Sequence, residues 1–266
     1  MDDLFSLLKN ARVYDLAQPL YAGVPHFPTH PPFAFSLCKQ HGEFVLKNGG
    51  SSASEMIALG GHTGTHIDAL CHFSCNGTMY GGALVKQSPA GGVEPYSVDT
   101  IAPIVRRAVL FDVAGHIGVE SLAEDFVVQP EHLDAVAAQR GLTLASGDVA
   151  LIRTGWGRHW ADQNQYTTAG KGAYVAGPGP EEPAARWLSG KGVFAVGSDT
   201  LAFERVPSST MPVHIHLLVE SGIHIIENLH LEELARDGVT EFLLFAAPLK
   251  IRGGTGSPLR PVALVA

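Results

Sequence analysis

Apolar runs separated by glycine- and proline-rich turns predict most of the strands of this chain. A continuous apolar run without alternation is typical of a strand buried on both faces, and 106–115 and 193–199 are of this kind. The predicted strands, in chain order, are 13–20, 52–61, 106–115, the second part of 145–157, 193–199, 223–229, 239–251 and 258–266.

Helical segments are marked by their ends as much as by their interiors. The segments 130–141 and 212–222 begin with proline and end with glycine, which is the usual asymmetry of helix termini. A glycine also ends 180–192, and shorter helices are predicted at Asp3–Asn10 and 231–238. Since helix and strand alternate without a linker or repeat, we expect one α/β domain over 1–266. Its core would be a mixed, barrel-like β-sheet with helices packed outside.

The segment 21–33 has four prolines and cannot form regular structure. It is predicted to be a long ordered loop or a mobile flap, and long loops of this kind are often functional. Phe27 lies in it, and Trp156 follows a predicted strand. Either ring could stack on a planar bicyclic substrate, and core or loop packing is the alternative for each.

Composition narrows the class of protein. The 266 residues are 45% hydrophobic and 17% charged with a net charge of −8, so we expect neither a nucleic-acid nor an anionic-membrane partner. The first residues include acids and do not resemble a signal peptide, and no apolar run reaches the ~18 residues of a membrane span, so a cytoplasmic protein is expected.

The stretch GGHTGTHIDALCHF at 60–73 concentrates imidazole and carboxylate groups. His62, His66 and Asp68 can supply two nitrogens and one hard oxygen to a metal ion such as Zn²⁺ or Mn²⁺. The glycines and β-branched threonines between them argue against a helix and favour a coiled loop that wraps one ion. A polar surface loop that happens to hold histidines is the alternative.

Three protein ligands leave coordination positions open, as in catalytic rather than structural metal sites. An ion held there would activate water and polarise a carbonyl group. His72, four residues after Asp68, is then a candidate acid/base. Cys71 and Cys75 raise the alternative of a thiolate zinc site, but a second cysteine pair is missing, so we expect both to be small packing residues.

A second cluster lies in 211–234. His214 begins a predicted helix, and Glu227 ends the strand that follows it. A helix and a returning strand can bring such a pair together, and a carboxylate in an apolar run needs a partner that an ion could provide. A helix-capping His214 and a salt-bridged Glu227 are the alternative. His216, His224 and His230 are expected to be surface or packing residues.

The motif H-x-G-T-H-x-D-x-x-x-H-F at 62–73 resembles the hallmark of the metal-dependent cyclase-type hydrolases, which include bacterial kynurenine formamidases and isatin hydrolases. The resemblance continues through ALIRTGW (150–156), GSDTLAFE (197–204) and the segment 212–229, so it covers most of the chain from about residue 14. Leu70 and Cys71 depart from the formamidase pattern, which commonly has proline after the aspartate–alanine pair.

This resemblance implies a compact α/β fold around a small barrel-like sheet, a homodimer or larger assembly, and amide hydrolysis with Zn²⁺ or Mn²⁺. His62, His66 and Asp68 would hold the metal, with Asp68 bridging to a second ion completed by His214 and Glu227. His72 would be the acid/base.

The predicted substrate is a small cyclic amide such as isatin, with N-formylkynurenine deformylation as the alternative. A non-catalytic metal- or ligand-binding relative and a metal-dependent lyase are retained as other classes.

Overall fold

The computed structural model describes residues 9–167 and 175–265, and its main element is a nine-stranded mixed sheet. Its four central strands, β7 (Ile104–Asp112), β9 (Val149–Arg153), β11 (Ala195–Ser198) and β12 (His224–Glu227), run parallel to one another. The flanking strands are antiparallel to their neighbours. The sheet is curled into a half-barrel. Across it the order is β1 (Arg12–Asp15), β15 (Val262–Val265), β13 (Glu241–Ala246), β7 (Ile104–Asp112), β9 (Val149–Arg153), β11 (Ala195–Ser198), β12 (His224–Glu227), β4 (His66–Asp68) and β14 (Gly256–Pro258).

Among the described residues, three strand pairs lie outside this sheet. They are the antiparallel hairpin of β2 (Ala34–Lys39) and β3 (Ser54–Ala58), the antiparallel pair β5 (Lys86–Ser88) and β6 (Gly92–Glu94), and the parallel pair β8 (Val127–Val128) and β10 (Gly179–Pro180). Short 3₁₀ turns occupy Leu70–His72, Tyr80–Gly82, Val98–Thr100 and Trp156–His159.

Four of the five predicted helices are confirmed, those at 130–141, 180–192, 212–222 and 231–238. The described helices are short. They are α1 (Val113–Ile117), α2 (Pro130–Arg140), α3 (Gln163–Thr167), α4 (Glu182–Gly190), α5, which begins as a turn at Pro212–His214 and continues with π-helical bonding over Ile215–Ser221, and α6 (Glu232–Arg236). The helix predicted at Asp3–Asn10 lies almost entirely outside the described residues. In the described part of the chain, no helix is long and apolar enough to cross a membrane.

Five predicted strands have clearly different bounds. The strands predicted at 13–20 and 258–266 form over Arg12–Asp15 and Val262–Val265. The run 106–115 is strand only to Asp112, whose side chain accepts a hydrogen bond from the Gly115 N–H (2.9 Å) and so caps α1. The run 239–251 is strand only to Ala246, and proline at 248 cannot donate to a ladder. The run 52–61 shortens to β3, which pairs with a strand, β2, that the pattern did not predict.

The central strands are buried on both faces because side chains alternate between two cores. Val149 and Leu151 of β9 face a core shared with β13, β15 and the loops, whereas Ala150 and Ile152 face the helices. Helices α1, α2, α4 and α5 supply the other half of that second core. The expected α/β architecture, with a mixed barrel-like sheet and helices packed outside it, is confirmed.

A buried arginine joins the ends of β7 and β9 to α6. The Arg153 guanidinium donates to Asp112 (2.7 Å), to both carboxylate oxygens of Glu232 (2.8 and 2.9 Å) and to the Glu120 carbonyl (3.1 Å). Arg153 is only 6% exposed. If its side chain is removed, its carboxylate partners lose a positive charge that water does not fully replace.

We therefore expect Arg153→Ala to lower the free energy of unfolding by about 3 kcal/mol. The control is Arg158→Ala, because Arg158 pairs with the exposed Glu120 carboxylate at 2.7 Å and its loss should cost less than about 1 kcal/mol. Urea denaturation measures both. Equal losses for the two variants would contradict a structural role for the Arg153 network.

Candidate metal centre

The register between β4 and β12 builds the first part of the site. Antiparallel pairing places His66 directly opposite Glu227 and Ile67 opposite Ile226. Ile67 and Ile226 face the strand-side core, so His66, Asp68 and Glu227 all point to the helix-covered face. His66 Nε2 lies 3.5 Å from Asp68 Oδ1 and 3.4 Å from Glu227 Oε2.

Helix α5 covers this face and adds a second imidazole. His214 is buried, and its Nε2 lies 3.4 Å from Glu227 Oε1 and 3.9 Å from Asp68 Oδ2. The prediction that a helix and a returning strand bring His214 and Glu227 together is therefore correct in geometry. Asp68 lies between the two histidines and has one oxygen directed toward each.

The spacing of these atoms fits a divalent ion. With bonds of about 2.1 Å, a tetrahedral ion separates its ligand atoms by about 3.4 Å. Three of the four distances from His66 Nε2 and His214 Nε2 to the carboxylate oxygens are 3.4 to 3.5 Å, and the fourth, from His214 Nε2 to Asp68 Oδ2, is 3.9 Å. Asp68 Oδ2 is buried and has no hydrogen-bond partner among the described residues, so it has a lone pair to offer. The side chains present therefore fit a metal ion.

Outer hydrogen bonds orient both histidines. The His66 Nδ1–H donates to the Gly64 carbonyl (2.8 Å), and the His214 Nδ1–H donates to Glu204 (2.6 Å). Each imidazole is thereby held with Nε2 toward the cluster, which is the arrangement that outer partners impose on metal-ligating histidines. Gly64 also accepts a hydrogen bond from Asn228 (3.0 Å).

His62 lies in the turn before β4 and contacts Asp68. Its Nδ1 lies 2.7 Å from Asp68 Oδ1 and its Nε2 lies 2.9 Å from Thr255 Oγ1. The ring packs against Gly256, where an added Cβ would lie 2.5 Å from His62 Cε1. Only glycine at 256 leaves room for this ring.

His72 lies on the 3₁₀ turn after β4. Its ring is stacked 4.0 Å from the His62 ring between centroids, and it forms a second group with His62 and Asp68 whose donor atoms lie within 4.8 Å of one another. Burial lowers the pKa of His72 to about 3. His62 and His214 lower this pKa further, whereas Asp68 and Glu227 act in the opposite direction. The imidazole is therefore neutral at pH 7 and has a nitrogen lone pair to offer.

The cluster holds excess negative charge. Asp68, Glu204 and Glu227 are all buried, and their charged partners among the described residues are histidines alone. Burial disfavours charge on His66 and His214, but hydrogen bonds to the carboxylates outweigh it and raise the pKa of each to about 10. In the absence of an ion, protonated His66 and His214 therefore supply the positive charge that compensates the carboxylates.

Aromatic rings form a strip beside these groups. The centroid of the Phe73 ring lies 5.2 Å from that of His72 and 4.9 Å from that of His214. The Phe27 and His30 ring centroids are 5.6 Å apart, and the His30 and His62 centroids are 5.1 Å apart. The structure thus places Phe27 beside the site through His30. That Phe27 contacts substrate stays a prediction.

Trp156 has a different environment. It is buried in a cluster with Val24, Phe33 and Trp160, and its indole N–H donates to the Tyr166 carbonyl (2.9 Å). Phe27 packs against this same cluster. Trp156 therefore has a clear packing role, and its contact with substrate stays a prediction.

Cys71 is a packing residue, as predicted. Cys71 is buried in the strand-side core, with Sγ 3.7 Å from the Gly254 carbonyl, and Cys75 is half-buried. Cys71 therefore faces away from the helix-covered face that carries His66 and Asp68. Of the two residues that depart from the formamidase pattern, Leu70 is the one that packs with the helices.

Three parts of the site were missed from the sequence. Glu204 lies in the quoted segment 197–204, yet only the fold shows it holding His214. Thr255 and Gly256 are almost 200 residues from His62 and have no local signal. His30 could have been noted as the second histidine of the proline-rich segment.

The fold and the buried cluster define an α/β protein with a candidate metal centre of histidines and carboxylates on one face of a curled mixed sheet. The chain belongs to the family described as putative cyclase, whose model matches residues 14–205.

The proteins that are similar to this chain include an isatin hydrolase and a kynurenine formamidase. An isatin hydrolase of Roseibium aggregatum is 29% identical over 216 residues, which cover 79% of this chain and 73% of that protein. A kynurenine formamidase of Bacillus mycoides is 27% identical over 257 residues, which cover 96% of this chain and 98% of that protein. The crystal structure of a protein described as a novel cyclase has a TM-score of 0.85 at 29% identity and covers 99% of this chain and 90% of its own. The two named relatives are hydrolases, which supports the predicted hydrolase class.

The fit of His62 against Gly256 gives a direct test of the centre. Gly256→Ala should displace the His62 ring and lower the affinity for Zn²⁺ or Mn²⁺ by at least about tenfold, the effect typical of disturbing a ligand's surroundings. Competition with a fluorescent chelator measures the affinity. Gly190→Ala is the control, because an added Cβ there meets nothing within 4 Å. Equal affinities for both variants would contradict the prediction that His62 is a metal ligand.

Proposed function

We propose that the protein is a metal-dependent hydrolase that opens a small cyclic amide, with isatin as the substrate. The observation that carries the proposal is the arrangement of His66, Asp68, Glu227 and His214 around a common point, with the neutral His72 beside them. The family and its hydrolase relatives support the reaction class. The expectation of one or two ions, Zn²⁺ or Mn²⁺, is part of this proposal.

A divalent ion held by these side chains would supply a Lewis acid for the amide carbonyl and would lower the pKa of bound water. His72 lies beside the ligands, and in this proposal it takes the proton of the attacking water and delivers it to the departing amide nitrogen. His62, stacked on His72, keeps that ring in place. The Glu204 carboxylate and the Gly64 carbonyl hold the two ligand imidazoles in one tautomer.

The aromatic strip supports a planar substrate. Phe27, His30, His72 and Phe73 follow one another with ring centroids 5.2 to 6.2 Å apart. A flat bicyclic amide offers a π-face to such a strip while its carbonyl faces the ligands. N-formylkynurenine is the second candidate, favoured by the formamidase of Bacillus mycoides, which matches nearly the whole of both chains.

Substrate choice is tested by turnover. The metal-loaded protein is incubated with isatin and with N-formylkynurenine, and the ultraviolet spectrum follows the opening of the ring or loss of the formyl group. We expect isatin to be opened at the higher kcat/KM. Faster deformylation would replace the first candidate by the second, and a stoichiometric metal without turnover of any amide, lactone or imide would favour a non-catalytic binder.

The role of His72 is tested by His72→Ala. Loss of a positioned acid/base should reduce kcat by about 10²–10⁴-fold while the metal content is retained. His116→Ala is the control, because His116 lies on the surface helix α1 and contacts Gln139. A His72→Ala protein that keeps its metal and its full turnover rules out the proton-transfer role, and one that loses its metal makes His72 a ligand.

A further inference from the structure

A cavity lies at the amino ends of three parallel strands of the main sheet. Ile104 begins β7, Phe194 precedes β11 and His224 begins β12, and all three side chains line the cavity. Its volume is about 240 Å³. A cavity of about 150 Å³ is large enough for a benzene-sized molecule, so this one has room for an aromatic ring with a small substituent.

The cavity is separate from the candidate metal centre. His224 is the first residue of β12 and Glu227 is the last, so about 10 Å of strand lies between them. Because side chains alternate along a strand, His224 lies on the face of Ile226, which belongs to the strand-side core, whereas Glu227 points to the helix-covered face. Among the described residues that line the cavity, none is a candidate metal ligand.

Most of the cavity wall is apolar. Leu70 and Ile101 are buried, and Tyr96 and Phe194 are half-buried aromatic residues. Walls of aliphatic and aromatic side chains are typical of small-molecule sites and favour a flat ring.

Arg106 adds a positive charge to this wall. Its guanidinium carbon lies 4.1 Å from the centroid of the Phe194 ring, and its Nη1 donates to the Gly147 carbonyl (3.1 Å). These two contacts hold the guanidinium in place. Among the described residues no carboxylate pairs with Arg106, whereas the neighbouring Arg107 pairs with Glu241 (3.1 Å). The other N–H groups of the Arg106 guanidinium therefore remain for an anion.

The two kinds of wall together define the chemistry of a ligand. A guanidinium binds a carboxylate through two parallel N–H···O bonds, and such charge-assisted pairs are about twice as strong as neutral hydrogen bonds. An inorganic anion would use Arg106 but would leave the apolar wall uncovered. A small aromatic ring that carries a carboxylate matches both parts of the cavity.

We propose that this cavity is a second ligand site and that it binds a small aromatic carboxylate through Arg106. Opening of an aryl-fused cyclic amide by water forms such a molecule. The carbonyl carbon gains the oxygen of water and becomes a carboxylate, and the nitrogen leaves that carbon, gains a proton and stays on the ring. The reaction product is therefore the expected occupant, and this identification rests on the proposed function.

Two contacts connect the cavity to the metal centre. Leu70 lines the cavity and begins the 3₁₀ turn Leu70–His72, so it lies two residues before the proposed acid/base. His224 also lines the cavity, and its Nδ1–H donates to the Asp68 carbonyl (3.0 Å). An occupant that displaces either side chain moves a group of the metal centre, and small displacements of catalytic groups reduce turnover. Binding in the cavity should therefore lower kcat.

Binding is tested with para-fluorobenzoate by fluorine NMR on the Zn²⁺-loaded protein. Arg106→Gln should weaken binding at least about tenfold, the value of a hydrogen bond to a charged group. Ala102→Trp should weaken it at least as much, because Ala102 is an exposed residue of the cavity wall and an indole there takes the space of the ligand. Arg140→Gln is the matched control, since Arg140 is an exposed arginine in the last turn of α2.

The same titration separates the cavity from the metal centre, where a carboxylate has an ion to bind. Binding in the cavity should persist in the metal-free protein. Equal affinities in the native, Arg106→Gln and Ala102→Trp proteins would overturn the proposal. Binding that requires Zn²⁺, or no binding to the native protein, would overturn it as well.

The connection to the metal centre is tested by turnover of isatin. Saturating para-fluorobenzoate should lower kcat at least about twofold in the native protein, and Arg106→Gln should remove this effect while keeping the native kcat without ligand. Inhibition that raises KM alone and persists in Arg106→Gln places the ligand at the substrate site and contradicts the proposal. If isatin is not turned over, the proposed function fails, whereas the NMR titration still decides whether the cavity binds the ligand.

The product as occupant is tested by competition. Isatinate, prepared by alkaline opening of isatin, should displace para-fluorobenzoate from the native protein and should bind at least about tenfold more weakly to Arg106→Gln. Failure to displace it would rule out the product as the occupant.

Discussion

Burial of three carboxylates on one face of the sheet is the constraint on which the site depends. Asp68 and Glu227 face a common point, and Glu204 lies behind His214. An ionised carboxylate costs several kcal/mol to bury unless positive charge compensates it. Histidines are their charged partners among the described residues, so compensation requires either protons on the imidazoles or a cation between them. The same side chains that make the metal-free site basic make it a suitable metal site.

Three distant parts of the chain meet to form this arrangement. The register of β4 against β12 sets His66 opposite Glu227, and α5 brings His214 onto the face that the sheet leaves to its helices. The close approach of Gly256 to His62 then fixes the remaining imidazole. Because each contact is made by a different element, the geometry of the centre is a property of the whole fold and not of the 60–73 segment.

Site residues that are close together in the sequence could be predicted, whereas those that act through long-range contacts could not. His62, His66, Asp68 and His72 are recognisable because their spacing is local, and the helix–strand order made the meeting of His214 and Glu227 foreseeable. Glu204, Thr255 and His30 act through contacts that sequence spacing does not encode. Strand β2 was missed for a related reason, since it is exposed on both faces and lacks the one-sided alternation that marks a packed strand.

The most direct test of the central claim counts protons. Zn²⁺ is titrated into the metal-free protein at pH 8 by calorimetry, in buffers of different ionisation enthalpy. Since the pKa values of His66 and His214 are raised to about 10, both imidazoles are protonated at that pH and must lose their protons to bind the ion. The account predicts release of about two protons for the ion that both histidines share, and an affinity that rises with pH up to about 10. Stoichiometric binding without proton release would contradict it.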